Sequence, residues 1–223
     1  YLTKIHMKNR KKWCTSMMKL TPDFWDRVVW TDETMVCLLN AYGPAKAWTT
    51  KELKYTGINP RPRSQGGGPK VMFWGCFLSS GTGLFIPIRG IMNSVSYVEL
   101  LKNHVIPWMY KKERELHVKL DLQQDNAPCH RSAMVREFLA ANNIEVLEWP
   151  SKSPDLNPIE NMWSYLKDAI GRTFPIVTNL NELKTLAQRI WTQITPQYCA
   201  SLVESFKHRM KECKTYFGRP TSR

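Results

Sequence analysis

A chain of 223 residues with 43% hydrophobic and 11% aromatic residues is large enough for one ample core and too apolar to stay disordered. Lys and Arg outnumber Asp and Glu by 32 to 19, and the net charge of +13 favours a polyanionic partner such as nucleic acid over an acidic small molecule; a basic ribosomal or chromatin protein has the same excess. The six cysteines include no C-x-x-C pair and read as reduced thiols of an intracellular protein, and the longest apolar run, residues 71–77 interrupted by Gly75, falls well short of the ~20 residues that cross a bilayer. No zinc site and no membrane association are expected. The chain starts at Tyr1 and its basic first dozen residues lead into no apolar signal core, so it reads as part of something longer.

Residues 1–20 place Lys4, Lys8, Arg10, Lys11, Lys12 and Lys19 among Ile5, Met7, Trp13, Met17 and Met18, a basic helix or linker that either lies along DNA or presents a solvated face. The main domain is expected over 21–223. Thr21, Pro22 and Asp23 form a helix-start signal for a short helix over 22–27. A strand follows over 28–39, with Val28, Trp30, Asp32, Thr34, Val36 and Leu38 on one face, which leaves Asp32 as the only charge in an otherwise apolar set. A turn and a further strand are read near 41–50. Residues 52–69 then lack periodicity and are rich in Pro, Gly, Arg and Lys; Arg61, Arg63 and Lys70 could meet DNA backbone or a partner subunit, or the segment could be a disordered polar loop. Its three glycines, 66–68, do not form the G-x-x-x-x-G-K-S/T pattern, so no nucleotide cofactor is implied.

Strands over 70–78 and 83–88, joined by SSGTG, continue an antiparallel meander. A helix is read over 95–112 with Pro107 as a kink or irregular last turn, then a strand over 118–122. A helix over 131–142 with Met134, Val135, Phe138 and Leu139 inward precedes a strand over 144–147. Helical crossovers make the later strands parallel, so the sheet is mixed, helices pack on it, and Asp32 and Asp125 can stand on neighbouring strands. Two more amphipathic helices are read in 178–217.

The stretch 153–170, SPDLNPIENMWSYLKDAI, carries a third acid. Pro158 suits the first position of a helix, and Ile159, Met162, Trp163, Leu166 and Ile170 make one apolar stripe along it. Glu160 lies about 100° round from Ile159, at the edge of that stripe and in the first turn. Alone it would merely favour the helix start. With Asp32 and Asp125 it makes a candidate metal site, because crowded carboxylates repel and raise one another's pKa unless divalent cations neutralise them.

Four segments then stand out: TDET at 31–34, GGGPKVMFWGCF at 66–77, QQDNAPCH at 123–130 and EWPSKSPDLNPIENMWSYLK at 148–167. Together they resemble the catalytic domain of the mariner-type DDE transposases over most of the chain. Asp125 and Glu160 are separated by 34 residues, 126–159, the interval typical of the branch whose third acid is Glu. The resemblance implies an α/β fold: a ribonuclease H-like, mixed five-stranded sheet flanked by helices, with an inserted clamp-type loop near 50–69 that reaches the other subunit of a dimer.

The resemblance also implies that Asp32, Asp125 and Glu160 are catalytic and hold two divalent metal ions, Mg with Mn as a substitute, which about 3.5–4 Å apart would clamp both oxygens of an in-line phosphoryl displacement. Water is then the nucleophile for cleavage and a DNA 3′-hydroxyl for joining. The implied partner is double-stranded DNA, transposon ends and target, bound by a homodimer or higher oligomer in the nucleus. The family's helix-turn-helix domains lie N-terminal to this region and residues 1–20 cannot hold them, so DNA binding with little sequence preference is expected. Asn126 and His130, close to Asp125, either orient water or DNA or cap the strand-to-helix turn. Two other readings stay open, another ribonuclease H-like nuclease and a host-adopted DNA-binding protein. The WPSKSPDLNPIEN signature weighs against the first and the intact acids against the second.

Overall fold

The computed structural model describes residues 2–38, 68–173 and 177–221. The alternation of side chains along its strands sorts them into two cores. Val28, Trp30 and Val36 of β1 (Val28–Cys37) and Val71, Phe73 and Phe77 of β2 (Lys70–Leu78) enter one; Val29, Trp74, Cys76 and Leu78 enter the other. β3 (Gly81–Ile88) completes an antiparallel meander, while β4 (Asp121–Gln123) and β5 (Glu145–Val146) add in parallel beyond β1, in the order β3-β2-β1-β4-β5. β1 is therefore the central strand. Its first four residues are buried.

Residues 4–17 fold as α1 (Lys4–Met17), begun by a reciprocal cap in which Thr3 Oγ1 accepts from His6 N at 3.2 Å and His6 Nδ1 accepts from Thr3 N at 3.3 Å. Arg10, Trp13 and Cys14 form its buried face, and Lys4, Lys8 and Lys12 stay exposed. α2 (Pro22–Asp26) turns the chain into β1.

The second core is covered by α3, over residues 94–116, and by α4 (Ala133–Ala141). α3 runs Ser94–Leu100, opens into one wide π turn at Leu101–Val105 and continues Ile106–Leu116. Sequence spacing puts a kink or an irregular last turn at Pro107; the irregularity instead precedes it, because Pro107 has no N–H to return to the preceding turn, and the helix carries on beyond it. In α4 the inner face is narrower than expected. Val135 and Leu139 are buried and Phe138 packs against them, but Met134 is 49% exposed, since it lies one residue off the line through Val135 and Leu139.

Three helices close the first core: α5 (Ile159–Arg172), α6 (Leu180–Gln193) and α7 (Pro196–Thr215). All five residues of the α5 stripe are buried, each such side chain contributing roughly 1.5–3 kcal/mol of transfer free energy. At the centre of this face Phe206 of α7 meets Trp25 at 4.7 Å and Trp30 at 4.8 Å between ring centroids, and Trp149 packs on Trp13 at 5.0 Å. The strand read near 41–50 and nearly all of the loop read over 52–69 fall outside the described residues. β3 begins at Gly81 rather than 83, and β4 at Asp121 rather than 118, where Asp121 pairs with Arg27 at 2.9 Å. All six cysteines are free, and no described helix is long and apolar enough to cross a membrane.

Candidate active site

β1 and β4 run parallel with Val28 opposite Asp121, Val29 opposite Leu122 and Trp30 opposite Gln123. Two residues beyond the last pair, β1 reaches Asp32 and the chain leaving β4 reaches Asp125, so both acids stand at the same level of adjacent strands. The join is reinforced by side chains. Thr31 N donates to Gln123 Oε1 at 3.1 Å and Thr31 Oγ1 donates to Gln123 O at 2.7 Å.

α5 brings the third acid. Asn157, 2% exposed, uses both ends of its amide: Nδ2 donates to Thr31 O at 3.0 Å and Oδ1 accepts from Ile159 N at 3.3 Å. One buried side chain thus caps the helix that carries Glu160 and ties it to the residue before Asp32. The helix itself begins at Ile159, with Pro158 already at helical angles, φ −62 and ψ −25. Packing allows this approach because Gly75, directly opposite Asp32 on β2, leaves room for the indole of Trp163.

Asp32, Asp125 and Glu160 line one cavity of about 540 Å³, together with Glu33, His6 and Lys152. Among the described residues no three His, Cys, Asp or Glu side chains converge into a formed metal cluster. Burial, first, and then the charge of Glu33 push the Asp32 carboxyl up to about 8, with Glu160 and Asp125 adding to the effect and the Glu33 N–H opposing it. Such a site attracts cations. Asp32 Oδ1 accepts from Glu33 N at 2.8 Å, and Asp125 Oδ1 accepts from Ala127 N at 2.8 Å.

Asn126 and His130 both have structural partners. Asn126 Nδ2 donates to Trp149 O at 2.7 Å, fastening the turn after β4 to the loop before α5. His130 Nδ1 lies 2.8 Å from Asp125 Oδ1, and His130 Nε2 lies 3.4 Å from Glu33 Oε1, an ion-pair contact not aligned as a hydrogen bond. Burial disfavours the imidazolium, but the hydrogen bond to Asp125 and the contact with Glu33 outweigh it and push His130 up to about 10. For Asp125 burial again works upward; the His130 hydrogen bond and the Ala127 N–H overcome it and hold its carboxyl below the usual range.

Sequence reading missed three members of this neighbourhood. Glu33 was legible only as the residue after Asp32. Asn157 had a local signal, an Asn immediately before the Pro that opens a helix. Asp155 had none: it accepts from Arg10 Nη1 at 2.7 Å and from Arg10 Nη2 at 2.5 Å, and from Thr221 N at 2.8 Å, so that α1, the loop before α5 and the last described residues meet on one carboxylate. Arg10 Nη1 also donates to Lys152 O at 3.2 Å, which sets the part of that loop lining the cavity.

A mixed five-stranded sheet with one acid within its central strand, a second just beyond the adjacent parallel strand and a third on a packed helix defines a ribonuclease H-like domain. Residues 27–184 match the DDE superfamily endonuclease family. The chain is 31% identical over 222 residues to the transposable element Tcb1 transposase of Caenorhabditis briggsae, covering 97% of this chain and 79% of that one. It is 29% identical over 213 residues to the Tc1 transposase of Caenorhabditis elegans, covering 94% and 75%. In fold it matches the Mos1 mariner paired end complex with Mn at a TM-score of 0.86 and 20% identity, spanning all of this chain and 65% of that one. The catalytic domain of Mos1 mariner transposase alone matches with a TM-score of 0.78 at 19% identity, over 100% of this chain and 98% of that one. The chain belongs to the DDE superfamily endonucleases, in the transposase family of its Caenorhabditis relatives.

Proposed function

We propose that this chain is the catalytic core of a cut-and-paste DNA transposase in which Asp32, Asp125 and Glu160 hold two divalent metal ions, Mg or Mn, and so cleave and rejoin DNA strands. The observation that carries this reading is the shared level of Asp32 and Asp125 on adjacent parallel strands, with Glu160 lining the same cavity. The donor set fits: carboxylate oxygens are the ligands that Mg²⁺ prefers, and positive charge offsets both the burial and the neighbouring acids that raise Asp32.

When bound, the ions supply Lewis-acid polarisation of the phosphate and lower the pKa of water at the reacting centre. Asp32 and Asp125 each have one oxygen engaged by a backbone N–H. Their orientation is therefore set by the chain before any ligand arrives. Asn157 fixes the start of α5 and thereby where Glu160 enters the cavity. The nucleophile is water in cleavage and a DNA 3′-hydroxyl in joining, so no covalent bond to the protein is required.

The +13 charge suits a DNA backbone, and the exposed Lys4, Lys8 and Lys12 of α1 together with Lys152 at the cavity offer phosphate contacts. Pairing of two subunits through residues near 50–69, and action on chromosomal DNA in the nucleus, belong to the same reading. The test is cleavage and strand transfer of labelled transposon-end DNA in Mg²⁺ or Mn²⁺. Asp32→Asn, Asp125→Asn and Glu160→Gln should each abolish both steps while retaining non-specific DNA binding. Near-normal cleavage by any one of them removes that residue from the site.

A further inference from the structure

Glu33 and His130 take no part in the chemistry described above, yet both are built into the wall behind Asp125. His130 is 3% exposed, its ring centroid 4.2 Å from that of Tyr97. Its carbonyl accepts from Gln124 Nε2 at 3.3 Å, and Gln124 Oε1 in turn accepts from Tyr97 Oη at 2.7 Å. The imidazole is therefore held from behind, with Nδ1 on Asp125 and Nε2 facing Glu33. Neither His130 Nε2 nor Glu33 Oε1 has a hydrogen-bond partner among the described residues; both atoms are buried, and they face each other in an ion-pair contact at 3.4 Å.

The Asp125 side chain is half exposed and without support would rotate. Its Oδ1 instead receives two donors, Ala127 N and His130 Nδ1, both at 2.8 Å. Two donors fill the two lone-pair directions of that oxygen. Oδ2 is then the atom left for a cation. We propose that Glu33 and His130 are positioning residues: His130 donates from Nδ1 to select which oxygen of Asp125 faces the metal, and Glu33 holds the imidazole in that orientation. This inference rests on Asp125 being a metal ligand.

The asparagine amide nitrogen falls near the place of a histidine Nδ1, whereas the glutamine amide nitrogen falls near Nε2, so the two amides separate the roles of the two ring atoms. Mn²⁺ is titrated into the metal-free chain by calorimetry, with circular dichroism to check folding and strand cleavage as a second readout. Removing a hydrogen bond of this kind from a metal-ligating group weakens metal binding by about 10- to 100-fold. His130→Gln should show that loss and His130→Asn should bind more tightly than His130→Gln, short of the roughly 10-fold loss. Glu33→Gln should weaken binding in the wild-type background and add nothing in the His130→Gln background.

Equal loss in His130→Asn and His130→Gln, or no loss in His130→Gln, overturns the proposal. So does an undiminished effect of Glu33→Gln when His130 is already Gln, since Glu33 would then act independently. Asp125→Asn is the control that keeps the two readings apart. If it binds Mn²⁺ like wild type, Asp125 is not a ligand and the proposed function fails first; if it loses binding while His130→Gln does not, only the positioning role fails.

Discussion

A Cβ on Gly75 would stand 2.6 Å from Cη2 of Trp163, closer than side-chain carbons approach in folded proteins. The indole has little freedom to yield, being 2% exposed, 5.3 Å from the ring of Trp191 and 6.2 Å from that of Phe85. Gly75 also sits opposite Asp32 in the β1–β2 ladder, so the same residue sets the distance between the strand carrying one acid and the helix carrying another.

Gly75→Ala is therefore expected to lower stability by about 1–3 kcal/mol through overpacking and to slow DNA cleavage further than the stability loss alone explains. Urea denaturation and cleavage rates, measured at a temperature where both proteins are folded, check this. Unchanged stability with unchanged cleavage would show that α5 adjusts without moving Glu160.

The buried pair Arg10 and Asp155 makes the fold acid-sensitive. Burial works to raise the Asp155 carboxyl, but the Arg10 guanidinium and the Thr221 N–H outweigh it and hold its pKa below the ordinary 3.8. A depressed folded-state pKa contributes stability above the unfolded value that is lost as pH falls through the folded one. Asp155→Asn should thus be less stable than wild type at pH 7, by roughly 3–5 kcal/mol if Arg10 is left uncompensated, and the gap should close as pH falls below about 4. A gap that stays constant from pH 7 to pH 2 would mean that the charge on Asp155 contributes nothing.

Asp32 has the opposite sign. Its folded-state carboxyl, pushed up to about 8, keeps its proton where the unfolded chain has lost it, so stability falls as pH rises from about 4 to about 8. In metal-free protein, Asp32→Asn should match wild type near pH 4 and exceed it at pH 8 by on the order of a few kcal/mol. Thermal unfolding in a chelator measures it. A variant less stable than wild type at pH 8 would contradict the raising of Asp32 by burial and by its acidic neighbours.

How much of this was legible beforehand depended on the range of the interaction. Period-two and helical patterns exposed β1 and β2, the α5 stripe and the later helices, because burial of a face leaves a local mark on the sequence. Asp32 and Asp125 were legible through their place in or at the end of apolar runs, Glu160 through its place at the edge of a helical stripe, and all three through family resemblance. What stayed hidden were pairs far apart in the chain, Arg10 with Asp155 and Asn157 with Thr31, since no periodicity says which distant partner a polar residue will meet. The π turn in α3 was hidden for a different reason: Pro107 announces an irregularity, but the neighbouring turns decide where the helix absorbs it.

The most direct test of the central claim is anomalous scattering from Mn²⁺ soaked into crystals of this chain. The account predicts manganese density in the cavity lined by Asp32, Asp125 and Glu160, coordinated through Oδ2 of Asp125 and lost in Asp125→Asn crystals. Manganese bound elsewhere, or density in that cavity that survives the loss of Asp125, would contradict it.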